Sequence, residues 1–444
     1  MNETSIKAYR GTIVHARRDP GRDDDQAVEV FADGILSVVG GVVQEAGPAD
    51  KVLERLPRDT EIGDYTGKLI VPGFIDTHVH YPQVDVIASY GAQLLDWLNE
   101  YTFPVEKQFA DQSVARETAS FFLDELLRNG TTTALVFATV HPQSVDAVFE
   151  AARQRGMRLV AGKVLMDRHC PEDLRDSAET GYRQSKALIE KWHGAERLSY
   201  AITPRFAVTC TDEQLSRAGQ LAREYPDVFV HSHLAENTDE VAWVTELFPG
   251  RRSYLDVYDR FGLVRDRSVY AHCIHLDDAD RKRMGESGAA AAFCPTSNLF
   301  LGSGLFDLDG ADAHGIRTGI GTDVGGGTSF SIPRTLGEAY KVLQLQGQTL
   351  TPRRALYLAT LGGARSLYLD DRIGNFEPGK EADFVVIDPG ATPLTARRTA
   401  RTRSIDETWF ALTMLGDDRH IHAVYVAGNR ARLDSTGSSR AAGG

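Results

Sequence analysis

Residues Ser113 to Leu165 read SVARETASFFLDELLRNG, TTTALVFATV, HPQSVDAVFEAARQRG and MRLVAGKVL, and the order of these four pieces decides the fold. Apolar residues recur at the helical interval in the first and third, which predicts helices over Ser113–Asn129 and Val145–Arg155 with stops at Gly130 and Gly156. The second and fourth are β-rich apolar runs and read as strands. The unit recurs downstream, where Asp212–Glu224 leads to DVFVHSH, and Leu276–Ser287, stopped by Gly288, leads to AAAAFCP. Helices that carry the chain back to start another strand imply parallel strands. At 444 residues a closed eight-stranded (β/α)8 barrel, expected over 69–374, is favoured over an open doubly wound sheet.

Phosphate-binding signatures do not interrupt this reading. No G-x-G-x-x-G opens a helix, and the run from Gly374 to Lys380 is followed by Glu381 where a magnesium-binding hydroxyl would be needed, so it reads as a turn into the strand ADFVVID. The two chain ends differ from the middle. Short alternating segments such as AVEVFADGILSVVGG and HIHAVYVAGNRARL are expected to pair as a small flanking β-sandwich domain built from 1–68 and 375–432. The small, polar residues 433–444 are expected to form a mobile tail.

Composition removes several partner classes. A formal net charge of −13 without a Lys/Arg-rich run argues against nucleic acid and anionic membrane. The first residues lack an apolar signal core, and no window approaches the roughly 18 apolar residues of a membrane span, so a cytoplasmic protein is expected. Cys170, Cys210, Cys273 and Cys294 are scattered and form no C-x-x-C pair, which predicts reduced thiols.

The chemistry sits where predicted strands end. In LIVPGFIDTHVHYPQ, residues 69–83, alternation places His78 and His80 on one face, so both imidazoles can reach one ion. A pair of histidines at a surface turn would look the same. DVFVHSHLAEN adds His231, His233 and Glu236, and spacing alone does not choose between the two histidines. SVYAHCIHL adds His272 and His275, and GIRTGIGTDVGGG ends a strand in Asp323. Taken together, H-x-H, H-x-x-E, a strand-end His and a strand-end Asp point to a metal hydrolase built on the carboxyl-terminal loops of a barrel. Neutral imidazoles with one carboxylate suit a zinc ion that keeps a position for water, beside a non-ligating Glu able to shuttle protons.

The segments PGFIDTHVHYPQ, LLDWLNEYTFPVE, TPRF, HSHLAEN, CPTSNLFLGSG and GTDVGGG resemble the amidohydrolase superfamily and, within it, the guanine deaminases, over nearly the full chain. The resemblance implies a distorted TIM barrel with a flanking β domain, and one Zn2+ per subunit held by His78, His80, His233 and Asp323, with Fe2+ an alternative. It implies that Glu236 is the proton shuttle, that His272 holds the attacking water, and that Asp323 also accepts a proton. It further implies a small purine substrate, guanine, contacted by Gln83, Arg205 and Phe206 together with Leu94, Trp97, His233 and Glu236, and a homodimeric assembly. The two-metal branch often carries a carboxylated lysine; Lys163 in VAGKVLMD lies where one would be sought and reads as structural. Deaminases or hydrolases of 8-oxoguanine, adenosine-type or triazine rings would keep the same cluster, and a catalytically silent barrel acting as a scaffold is the reading from a different class. The H-x-E and P-C-x-x-C pattern of the other zinc base-deaminase architecture is absent.

Overall fold

The computed structural model describes residues 6–90 and 93–432, so the expected tail at 433–444 lies outside the described residues. The repeated helix–strand unit forms as read. Gln112–Arg128 is a helix whose N-cap, Asp111, accepts from the Ser113 amide, and it is followed by the strand Thr131–Phe137. Pro142–Arg155 ends on Gly156 in the left-handed conformation at φ 66°, where a residue with a Cβ would be strained. Asp212–Glu224 is a helix capped by the Thr211 side chain, and Asp278–Ser287 ends on Gly288 at φ 77°. Each stop turns the chain into the next strand.

Eight strands follow one another in chain order around the barrel: Phe74–His80, Thr131–Phe137, Arg158–Gly162, Leu198–Pro204, Phe229–Leu234, Ser268–His272, Ala290–Phe293 and Arg317–Ile320. Neighbours along this path pair in parallel. The ring closes at a seam just beyond the last strand, where the Asp323 amide donates to the His78 carbonyl at 2.9 Å and the His80 amide donates to the Val324 carbonyl at 2.8 Å. The strands are buried on both faces, as parallel strands covered by helices must be.

Between the third and fourth strands the backbones approach closely. A Cβ added at Gly162 would meet the Ala201 carbonyl oxygen at 1.7 Å, so only glycine fits without a backbone shift. Gly162→Ala is therefore expected to destabilise the protein by about 1–3 kcal/mol, the usual range for overpacking. Denaturant unfolding of the two proteins side by side checks this, and an unchanged midpoint would show that the strands separate freely.

Both chain ends contribute to one seven-stranded mixed sheet, in the order Asn429–Arg430, Ile421–Val426, Phe384–Ile387, Glu61–Pro72, Lys7–Ala16, Val28–Val39 and Val42–Pro48. Lys7–Ala16 pairs in parallel with Glu61–Pro72, and the other pairings are antiparallel. Glu381 and Asp383 of the C-terminal segment meet Arg197 at the start of the fourth barrel strand, with Nη2 to Asp383 Oδ2 at 2.5 Å and Nε to Glu381 Oε2 at 2.9 Å. Arg158 also reaches Glu381, its Nε lying 3.1 Å from Oε2. These ion pairs tie the sheet to the barrel.

One feature departs from the expectation that the ends are strands and turns. Pro393–Thr399 and Ile405–Leu415 are helices, and Trp409 packs on Phe74 with ring centroids 6.3 Å apart. Among the described residues no helix is long and apolar enough to cross a membrane, and all four cysteines are free thiols.

Candidate active site

The carboxyl-terminal ends of the strands carry the cluster. His78 and His80 leave the first strand beside the seam, and Asp323 follows the last strand. His80 Nε2 lies 3.2 Å from His78 Nε2 and 3.1 Å from His233 Nε2. His78 Nε2 is 3.0 Å and His80 Nε2 3.4 Å from Asp323 Oδ1. Donor atoms of His272 belong to the same group, since those of His78, His233, His272 and Asp323 all lie within 4.8 Å of one another.

These distances test whether a cation fits. Ligands bound tetrahedrally at about 2.0–2.1 Å sit roughly 3.3 Å from each other, which is the spacing found here. The His233 Nδ1 hydrogen bonds to the Arg205 carbonyl at 2.6 Å, which makes Nε2 the lone-pair nitrogen facing the cluster. Burial and mutual repulsion hold His78, His80 and His233 well below the ordinary imidazole range. Neutral imidazoles directing lone pairs at one another repel unless a cation lies between them. The donor set therefore fits a divalent metal ion.

Behind the cluster, His231 Nε2 lies 2.8 Å from His78 Nδ1. It sits lower in the barrel and steers the His78 ring.

Glu236 and His272 form the other side. Glu236 Oε2 is 3.3 Å from His272 Nε2, and its Oε1 accepts from the Ser303 hydroxyl at 2.9 Å. Burial pushes the Glu236 carboxyl up to about 7, helped by the negative charges of Asp323 and Glu240 and opposed by His272. Burial alone would depress His272, but Glu236 and Asp323 outweigh it and raise its pKa. His272 Nδ1 is fixed 2.8 Å from Asn298 Oδ1. His272, Cys273 and Asp323 have φ of 70°, 52° and 50°, a strained conformation that the packed strand ends impose.

A pocket opens over this cluster, and its walls include Gln83, Leu94, Trp97, Arg205 and Phe206. Every residue singled out in the sequence as a ligand, proton carrier or substrate contact is thereby brought to one place, except that His78 lies deeper than the pocket wall. Lys163 is not part of it. Its buried ammonium pairs with Asp176, and His275 Nε2 is 2.9 Å from the Ser303 carbonyl oxygen.

Residues 69–431 match the amidohydrolase family. The chain belongs to that family. The guanine deaminase of Escherichia coli (strain K12) is 53% identical to it over 428 residues, which take in 96% of this chain and 98% of that one. The solved E. coli guanine deaminase superposes with a TM-score of 0.94 at 52% identity, covering 96% of this chain and all (100%) of that chain. A C. acetobutylicum guanine deaminase, solved with guanine bound in its active site, gives a TM-score of 0.87 at 29% identity over 96% of this chain and 100% of that one.

Several residues of this amidohydrolase site were not assigned a part from sequence. Asn298 and Ser303 stand in CPTSNLFLGSG, where polar residues near Gly302 and Gly304 also read as an ordinary turn. Glu240 accepts from the Glu236 amide at 2.9 Å and belongs to the capping box of the following helix, Thr238–Leu247; Asn237 with a Glu three residues on was the signal available for it. Glu106 is buried beneath Gln83 and Arg205; the resemblance marks it only as the end of the pocket segment Leu94 to Glu106 and gives it no part of its own.

Proposed function

We propose that this amidohydrolase deaminates guanine hydrolytically, giving xanthine and ammonia, with a zinc ion held by His78, His80, His233 and Asp323. The observation that carries the reading is the meeting, in one pocket and directly beneath it, of that cluster, the Glu236–His272 pair at 3.3 Å, and the Gln83 and Arg205 side chains. Similarity to guanine deaminases over nearly the whole chain supports guanine against other ring substrates. The ion would act as a Lewis acid that makes water acidic enough to be used near neutral pH.

The protein's own groups then handle protons. Glu236, poised at about 7, is suited both to take a proton and to return it. It accepts one proton from the attacking water as the new C–O bond forms at ring carbon C2, and delivers it to ring nitrogen N3. Asp323 accepts the second proton, which reaches the exocyclic amine as the C2–N bond breaks and ammonia leaves. His272, locked by Asn298, orients the water. Arg205 donates to the O6 oxygen and Phe206 packs on the ring.

Purified protein given guanine should form xanthine, followed by ultraviolet absorbance. Prolonged treatment with a strong chelator should abolish the rate and zinc should restore it. Undiminished turnover in metal-free protein would overturn the metal assignment, and no xanthine from metal-loaded protein would overturn the substrate.

A further inference from the structure

We infer that Glu106 is a positioning residue that holds N–H groups of Gln83 and Arg205 along one wall of the pocket, so that the site selects purines bearing an oxygen rather than an amine at ring position 6. The inference rests on the guanine reading and adds to it the source of its selectivity.

Glu106 closes the short helix Phe103–Glu106, which follows a π-helical turn at Leu98–Thr102 and lies 0% exposed. Its two oxygens are separately occupied. Oε1 accepts from Gln83 Nε2 at 3.1 Å and Oε2 accepts from Arg205 Nη1 at 2.6 Å. A carboxylate only accepts, so Gln83 must turn its NH2 towards it, and the other end of the amide is fixed by the Gly325 amide, which donates to Gln83 Oε1 at 3.3 Å. The Arg205 guanidinium is held in turn over the Phe103 ring, 5.2 Å from its centroid.

Gln83 and Arg205 line the pocket and Glu106 stands behind them. With its oxygen bonded to Gly325 and its NH2 held by Glu106, Gln83 keeps one N–H to offer a ligand, and the Arg205 guanidinium adds its remaining N–H groups. An oxo group at C6, together with the unprotonated ring nitrogen N7 beside it, accepts from such an edge. An amino group in the same place would set donor against donor and leave buried groups unpaired, a penalty that supports strong rejection.

The test compares guanine with 2,6-diaminopurine, which keeps the amine at C2 and carries an amine at C6, with N1 losing its hydrogen in the exchange. For the wild-type protein, kcat/KM is expected to be at least about 100-fold lower on the diamino compound, within the range sites built on hydrogen bonds achieve. In Glu106→Gln the charge is lost and the new carboxamide can donate as well as accept, so Gln83 and Arg205 are no longer both held with their N–H groups in place. The gap should then narrow by about tenfold or more, chiefly because KM for guanine rises while kcat changes little. Glu106→Asp keeps an acceptor-only group at shorter reach, so KM for guanine should rise while selectivity persists. Equal use of both purines by the wild type, an unchanged ratio in Glu106→Gln, or a collapse of selectivity in Glu106→Asp would overturn the inference with the guanine reading intact. No xanthine from the wild type would overturn that reading and the inference with it.

Discussion

Glu236→Gln protein is expected to keep its metal and lose its turnover, with kcat falling by about 10²–10⁴-fold, the usual contribution of a positioned acid–base group. The substitution preserves shape, and the Ser303 hydroxyl that now bonds Glu236 Oε1 at 2.9 Å can bond a carboxamide oxygen equally well. In the proposed mechanism, what is lost is the capacity to carry a proton between water and ring. Glu236 contributes no atom to the closely spaced nitrogens and Asp323 oxygen, so metal content should match the wild type. Metal analysis and initial rates on the same preparation decide the matter, and a variant retaining most of its rate would remove Glu236 from the chemistry.

A larger loss is expected from His233→Ala, because two functions meet in that one ring. Its Nε2 lies 3.1 Å from His80 Nε2 in the cluster, while its Nδ1 bonds the carbonyl of Arg205 at 2.6 Å and so helps set the segment that carries Arg205 and Phe206. Removing it should strip the metal. Without the ion the water pKa returns from about 7 towards 15.7, and turnover should fall by about 10⁴-fold or more. Equilibrium dialysis against zinc would show the lost affinity directly, and normal zinc binding by His233→Ala would exclude it as a ligand.

Much of this architecture is legible in local sequence because its causes are local. A helix stop such as Gly156 and a strand-end pair such as His78 and His80 each depend on a few adjacent residues, and period-2 geometry then brings the pair together. The barrel follows from repetition of that unit. Long-range contacts leave no such trace. Glu106 meets partners 23 residues before it and 99 residues after it, and nothing in YTFPVE announces either. His231 and His233 have the same spacing argument, and only the barrel's depth separates them, one 2.8 Å from His78 Nδ1 behind the cluster and the other within it. The helices Pro393–Thr399 and Ile405–Leu415 lie in a stretch where alternating strands on either side dominate the pattern, and their packing on Phe74 comes from the tertiary fold.

The seam between the first and last barrel strands has a consequence for biosynthesis. Asp76 of the first strand accepts from the Thr322 amide across a separation of 246 positions, at 3.0 Å, and the adjoining main-chain bonds of His78 and His80 are made to the same late segment. While the chain emerges from the ribosome, the early strand must wait with its edge unsatisfied until the 246 positions that separate Asp76 from Thr322 have been made. Loop closure on that scale is entropically slow, and an open parallel edge is prone to pair wrongly in the interval. Catalytic competence is thus withheld until synthesis has passed Asp323, and the last turn of assembly is also the one that completes the reactive centre.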